Sequence, residues 1–400
     1  MSRAGRRWTW TAGLVGVSAA AVIPILGLAA ARTLGDSTAG TLDVPTGAVA
    51  PVSETPGALL VAVDGTDVVG LTVLALAPTG AGGTAVVVPT GSLTSVDGFD
   101  QPTRLGAAYG QGGLDAQVTA TEGMLGVTFS TVEQVDQAGL QSLLEPLGAI
   151  AVDFPEAVVR TAVDGSAVLD LPAGPQELTA EQAAEVLFTR TPNETEAVRL
   201  PAQQAVWKGI VDAAERVASP ATAGAPADVA GFLAAIGAGP RDAALIDGSP
   251  ALDSVTNPEG IDLLEVDMVD VRMLMARLLP SAASPTGSGL RVRLIDHSGD
   301  PSALYQATAR LQFVGAAVVA IQDATGAPVV KETSLAYDPA LSQERVDTLT
   351  LAVGPVVGTP ATERVDGIDV TIDLGRDFMT FLRDEAARTP GDVATTTTGG

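Results

Sequence analysis

Few residues in this 400-residue chain are equipped for chemistry, and the absent types narrow the field first. There is no cysteine, which excludes thiolate catalysis, disulfides, Cys-ligated zinc and a lipoprotein anchor. A single histidine, His297, leaves one route to a Ser-His-Asp relay and none to a multi-histidine metal site. His297 falls in a strand-to-helix turn without a recognisable acid–base partner and reads as structural. Asp64-Gly65 and Asp67 have the spacing of turn residues. Arg190 and Arg199 stand beside Glu194 and Glu196, most simply as surface ion pairs. Tyr109 with Gly112-Gly113 marks a fold-defining loop, and Trp207 reads as a core residue or as the lining of an apolar slot.

Charge narrows the field further. The net charge is −25, and residues 1–32 hold Arg3, Arg6, Arg7 and Arg32 but no acid. All 47 acidic residues therefore face the remaining 18 of the 22 basic ones. A body so acidic repels nucleic acid, which argues against a DNA-binding regulator. It holds phosphate only where arginines concentrate or a metal intervenes.

The elements that must position any site begin after a distinctive leader. Ala12–Ala31 is a run of uncharged, mostly apolar residues, long enough to cross the ~30 Å hydrocarbon core as a helix. Arg3, Arg6 and Arg7 place segment 1–11 in the cytoplasm, and Trp8 and Trp10 sit at the interface. Ala29-Ala30-Ala31 also fits a signal-peptide cleavage site, but the length favours an uncleaved anchor. Either way, the body is exported. Residues 32–56, rich in Thr, Gly and Pro, read as a tether.

From residue 57 the pattern predicts strands over Ala58–Val63, Leu71–Ala77, Thr84–Val88 and Ile150–Phe154. Helices are expected over Asp115–Leu125, Gln137–Leu144 and Leu178–Phe188, the last with Thr179 as N-cap and Gln182 completing a capping box. A longer helix, Glu194–Arg216, is expected to break near Pro201. Alternating strands and helices give a layered α/β domain over 57–280. After a linker at 281–288, residues 289–380 read as a small βαββαβ domain, closed by a strand at Val365–Leu374. The last residues, 381–400, read as a disordered, solvated tail.

Several segments, in order, resemble the LytR-CpsA-Psr (LCP) family of cell-envelope proteins. They are AVVVPTGSLTSV (85–96), TRLGAAYGQGGLDAQVTATEGMLGVTF (103–129), LEPLGAIAVDFP (144–155) and AGPQELTAEQAAEVLFTR (173–190). Residues 291–319 and 365–378 resemble the small LytR C-terminal domain often appended to actinobacterial members. The resemblance implies transfer of a glycopolymer from a polyprenyl-pyrophosphate carrier to the cell wall, with arginine forks and a divalent metal such as Mg²⁺ meeting the phosphate charge. It also implies an apolar slot for the lipid between sheet and helices.

Matched position by position, the family's Pro-Arg-Asp turn is Pro89-Thr90-Gly91 here, so its Arg and Asp are missing. Its Arg-x-Arg pair is Phe188-Thr189-Arg190. Its Asp-Phe-Gly-Arg-x-x-Arg-Gln segment is Glu196–Gln203, keeping Arg199 and Gln203 and replacing the second Arg with Ala202. The remaining phosphate candidates are Arg104, Arg190, Arg199 and Gln203, with Asp67 as a metal candidate. So depleted a set favours a degenerate member that binds a lipid-linked precursor or wall polymer, or scaffolds envelope protein partners. The alternative is an active glycopolymer transferase. The expected partners are the membrane and a polyprenyl-linked or wall polymer, with no nucleic acid. A phosphatase reporter fused to the C-terminus is expected to be active outside the cytoplasm; reporter activity confined to the cytosol would contradict the export reading.

Overall fold

The computed structural model describes residues 49–387, apart from residues 51, 162–166, 191–193, 222–223, 252–261, 285–288, 324–326 and 357. The expected anchor at 12–31, the basic segment before it and the tether as far as residue 48 lie outside the described residues, as does the tail from 388. Among the described residues, no helix is long and apolar enough to cross a membrane.

The first three apolar runs form the middle of a five-stranded mixed sheet. Strands β1 (Gly57–Asp64), β2 (Asp67–Leu76) and β3 (Gly83–Val88) make an antiparallel meander. Strand β4 (Thr131–Val135) adds parallel to β1, and β5 (Arg241–Leu245) adds parallel to β3, giving the order β5-β3-β2-β1-β4. The runs are continuous rather than alternating because both faces are covered. Leu59, Val61, Leu71 and Val73 enter one core, while Ala58, Leu60, Leu74 and Val87 enter another.

Six helices of this domain matter for the site. They are α1 (Tyr109–Leu125), α2 (Gln137–Leu144), α3 (Ala180–Phe188), α4 (Glu196–Ala213), α5 (Val229–Gly237) and α6 (Met268–Leu278). The capping box on α3 forms as the sequence predicts: Gln182 N–H donates to Thr179 Oγ1 at 3.2 Å, and Thr179 N–H to Gln182 Oε1 at 3.0 Å. Helix α1 starts earlier than its periodicity suggests and changes direction at Gly112 and Gly113, where φ at Gly113 is 66°. The break expected at Pro201 is absent, and α4 runs through it. Proline there removes one intrahelical hydrogen bond, which burial of Leu200, Ala202, Val206 and Trp207 offsets.

The C-terminal region has its own sheet, built from β6 (Arg291–Asp296), β7 (Ala317–Asp323), β8 (Ser334–Tyr337), β9 (Gly358–Pro360) and β10 (Val370–Leu374) in the order β7-β6-β10-β8-β9. Helices α7 (Ala303–Phe313) and α8 (Gln343–Val353) supply the predicted crossovers. The closing strand starts at Val370 rather than Val365, because Arg364–Val365 pairs instead with Val49–Ala50. A ninth helix, α9 (Arg376–Ala387), continues past Phe381 through charged residues, with Phe378 buried in the core.

Helix α6 belongs to both regions. Val271 and Met275 pack under the central sheet, while Met273 and Ala276 enter the C-terminal core. Its N-cap Asp267 accepts the Val269 N–H at 2.8 Å and the Tyr305 hydroxyl of α7 at 2.7 Å. The tyrosine bond holds the Asp267 carboxyl below the usual carboxylate range.

Candidate functional site

Where β1 turns into β2, Asp64 and Asp67 face each other across the hairpin and open onto a groove of about 530 Å³. Arg104 and Arg190 line the same groove, over a floor that includes Val68, Val69 and Phe188. The four residues come from four places in the chain, Asp64 ending β1 and Asp67 beginning β2. Arg104 ends a two-residue strand paired with Leu93–Thr94, and Arg190 follows α3.

Beside the groove, the turn Pro89–Ser92 after β3 is clasped from both sides. Gly106 N–H donates to Thr90 O at 2.8 Å, and Leu264 N–H to Gly91 O at 2.8 Å. Its outward N–H groups meet a carboxylate from the start of α4: Thr90 N–H donates to Glu196 Oε1 at 2.5 Å, and Gly91 N–H to Glu196 Oε2. Glu196 is 2 % exposed. Glycine at 91 is what permits the approach, since a Cβ there would lie 2.5 Å from Oε2.

The relay continues in both directions. The Glu196 N–H donates to Asp262 Oδ2 at 2.7 Å, and Arg190 Nη2 pairs with the same oxygen at 2.6 Å. On the far side, Arg104 Nη2 donates to Thr90 Oγ1 at 3.1 Å. The geometry therefore corrects the surface-pair reading. Arg190 engages Asp262 and Glu196 engages the turn, while Glu194 engages Arg160 at 2.9 Å.

Arg199 lies one turn along α4 and is 1 % exposed. Its Nη2 donates to Leu187 O at 3.2 Å, while Nε and Nη1 are buried without a partner among the described residues. Burial, and then the nearby Arg160 guanidinium, pull Arg199 down to about 10 against the opposing pull of Glu196 and Glu194. Gln203, one further turn on, faces away from the groove. With Leu60, Leu71, Val87, Leu187 and Trp207 it lines an internal cavity of about 20 Å³, room for a single water. That cavity lies where the lipid slot is expected, between sheet and helices.

Residues 67–230 match the LytR_cpsA_psr family. The LytR-CpsA-Psr resemblance thus holds for this stretch of the α/β domain. Among solved structures the chain is similar to B. subtilis TagV, at 19% identity and TM-score 0.43, over 55% of this chain and 94% of that one. It is also similar to B. subtilis TagT, at 15% identity and TM-score 0.39, over 55% and 88%. A third is the LytR-CPS2A-psr family protein YwtF (TagT) with bound octaprenyl pyrophosphate lipid, at 16% identity and TM-score 0.38, over 55% and 86%. No curated protein matches the chain.

Within and beside this stretch the phosphate candidates divide. Arg104 and Arg190 line the groove, Arg199 sits buried beside it, and Gln203 belongs to the internal cavity. Asp67 has Asp64 as its partner, but both are exposed on a hairpin. Among the described residues no group of three or more His, Cys, Asp or Glu converges to hold a metal. Asp64 and Asp67 are an exposed two-carboxylate set, without a third acidic ligand to fix a cation before a phosphate arrives. The sequence reading missed Arg160, Asp262 and the anchoring role of Glu196. Asp262 lies in a stretch with no element signal, and the Glu196 contact spans 106 residues. His297, in the C-terminal region, has a buried Nδ1 without a partner among the described residues.

Two charge-assisted hydrogen bonds converge on the Glu196 carboxylate. Glu196→Gln keeps one acceptor and turns an amide towards the other N–H. It is expected to lower unfolding stability by about 1–3 kcal/mol in urea denaturation, whereas an unchanged midpoint would contradict this role.

Proposed function

We propose that this chain is an exported LCP-type envelope protein, anchored by residues 12–31, that holds a lipid-linked glycopolymer precursor or a wall polymer without transferring it. The observation that carries this reading is the Glu196 carboxylate seated on the Thr90 and Gly91 N–H groups. Transfer from a pyrophosphate carrier develops negative charge on the leaving group and needs unspent donors and cations there. Here the turn donors are spent on Glu196, and Arg190 is spent on Asp262. Around the groove the carboxylates of Asp64, Asp67, Glu196 and Asp262 outnumber the guanidiniums of Arg104, Arg190 and Arg199.

Binding capacity remains. Arg104 Nε and Arg199 Nε and Nη1 are buried donors without protein acceptors, the kind of edge an anionic head or sugar hydroxyl satisfies. The apolar layer around Trp207 is retained, although a prenyl chain would have to part α3 and α4 from the sheet to enter it. The C-terminal region, read as a LytR C-terminal-like domain, serves polymer or envelope-protein contact in this scheme.

A second reading, an active transferase, is favoured by one observation: Asp64, Asp67, Arg104 and Arg190 share a groove. One assay separates the two. Incubated with a polyprenyl-pyrophosphate-linked glycan and Mg²⁺, the protein is expected to bind the substrate without releasing prenyl phosphate. Arg104→Ala is expected to weaken that binding about tenfold. Turnover that disappears in Arg190→Ala and Arg199→Ala would establish the transferase instead.

A further inference from the structure

Helix α6 also borders a cavity where its two core-facing sides meet. Met268, Arg272, Met275 and Ala276, at helical spacing, line a cavity of about 410 Å³ between the end of α1 and the edge strand β7 of the C-terminal sheet. The volume falls within the range of small-ligand sites. Its other walls are mostly apolar side chains and backbone, among them Leu125, Val127 and Val318.

The cavity contains one charged side chain. Arg272 is half-buried, and its guanidinium makes no hydrogen bond or ion pair within the described residues. Burial alone pulls it below the usual arginine range, with no carboxylate close enough to oppose the effect. The two acids nearest in sequence are otherwise disposed: Asp267 accepts from Tyr305, and Asp270 is itself raised by burial and by Asp267. A half-buried cation with no counter-charge, its nitrogens open to the cavity, stands out in a chain carrying 47 acidic residues against 22 basic ones.

The guanidinium is also placed, not loose. It lies against Gly126, where a Cβ would stand 1.5 Å from Arg272 Nη1. Gly126 caps α1 in the left-handed region at φ 67°, so glycine serves both the turn and the arginine. Gln312, at the end of α7, adds a half-buried side-chain amide on the cavity wall that has no partner among the described residues. A planar five-donor fork and an amide in an otherwise apolar cavity are the recognition elements for a small anionic group attached to an apolar body.

We propose that this cavity is a second ligand site, binding an amphiphilic anion with its phosphate or carboxylate head on Arg272 and Gln312 and its apolar body against Met268, Met275, Leu125 and Val318. The site joins the LCP domain to the C-terminal region, so its ligand touches both. It is separate from the groove at Arg104 and Arg190.

The test is calorimetric titration of the full-length protein with hexyl phosphate, hexanoate, inorganic phosphate and hexanol. Hexyl phosphate or hexanoate is expected to bind at least about tenfold more tightly than inorganic phosphate or hexanol, because head and body both contribute. Arg272→Met is expected to weaken the tighter ligand at least about tenfold and Gln312→Leu about threefold, while Arg104→Ala leaves it unchanged. Should Arg272→Met not fold, Arg272→Lys carries the test, since loss of the planar fork is expected to weaken the ligand about threefold or more. No binding, equal binding of inorganic phosphate, or an unchanged affinity in the Arg272 variants would overturn the proposal. A loss in Arg104→Ala would also overturn it, by assigning the binding to the groove.

Discussion

A carboxylate held by two main-chain N–H groups at the end of a strand is an electrostatic commitment. Glu196 is buried at the first turn of α4, where the helix dipole favours negative charge, and it takes the donors of the turn that follows β3. Everything around it is arranged by that choice. Asp262 caps the N–H that Glu196 presents, Arg190 balances Asp262, and Arg104 steadies the Thr90 hydroxyl. Arg199 keeps a buried positive charge partly because Glu196 is near. An incoming phosphate would have to compete with a tethered carboxylate at high effective concentration. The family resemblance places Pro-Arg-Asp at this turn. Its arginine and aspartate are both gone here, and the Glu196 carboxylate, matched to the family's Asp-Phe-Gly-Arg aspartate, occupies the space that Gly91 leaves open.

The second organising feature is α6, which is packed on two sides. One stripe packs under the central sheet, another enters the C-terminal core, and its N-cap bonds Tyr305 across the junction. The incoming chain adds a further tie, with Thr55 and Ser281 exchanging hydrogen bonds through their hydroxyl and main-chain groups. Such a shared helix makes the α/β domain and the C-terminal region one described unit rather than two bodies on a string. Binding at their junction therefore bears on both.

The legible parts of the sequence are those where local and global preferences agree. The apolar runs of β1 to β3, the capping box at Thr179 and Gln182, and the Gln137–Leu144 helix read directly. So did the strand–helix order of the C-terminal region. Strand β4 escaped because Thr-Val-Glu-Gln-Val sits at the sheet edge, half exposed, with little apolar signal. Pro201 misled because tertiary burial outweighs one missing hydrogen bond. At the site, the arginines followed from the ordered resemblance. Their partners did not, since Glu196 with Thr90 and Arg190 with Asp262 are contacts of the folded chain across 106 and 72 residues. Sequence spacing places Arg190 and Glu196 side by side, but it carries no sign that each looks elsewhere.

Glu196 fills a position that a phosphate would otherwise take. Titration of inorganic pyrophosphate into the wild-type protein and into Glu196→Ala tests this most directly. If the carboxylate blocks the turn, the variant gains affinity by about tenfold or more, as two main-chain donors and the Arg199 guanidinium become available. Equal or weaker binding by a folded Glu196→Ala would contradict it and show that the turn was never a phosphate seat in this protein.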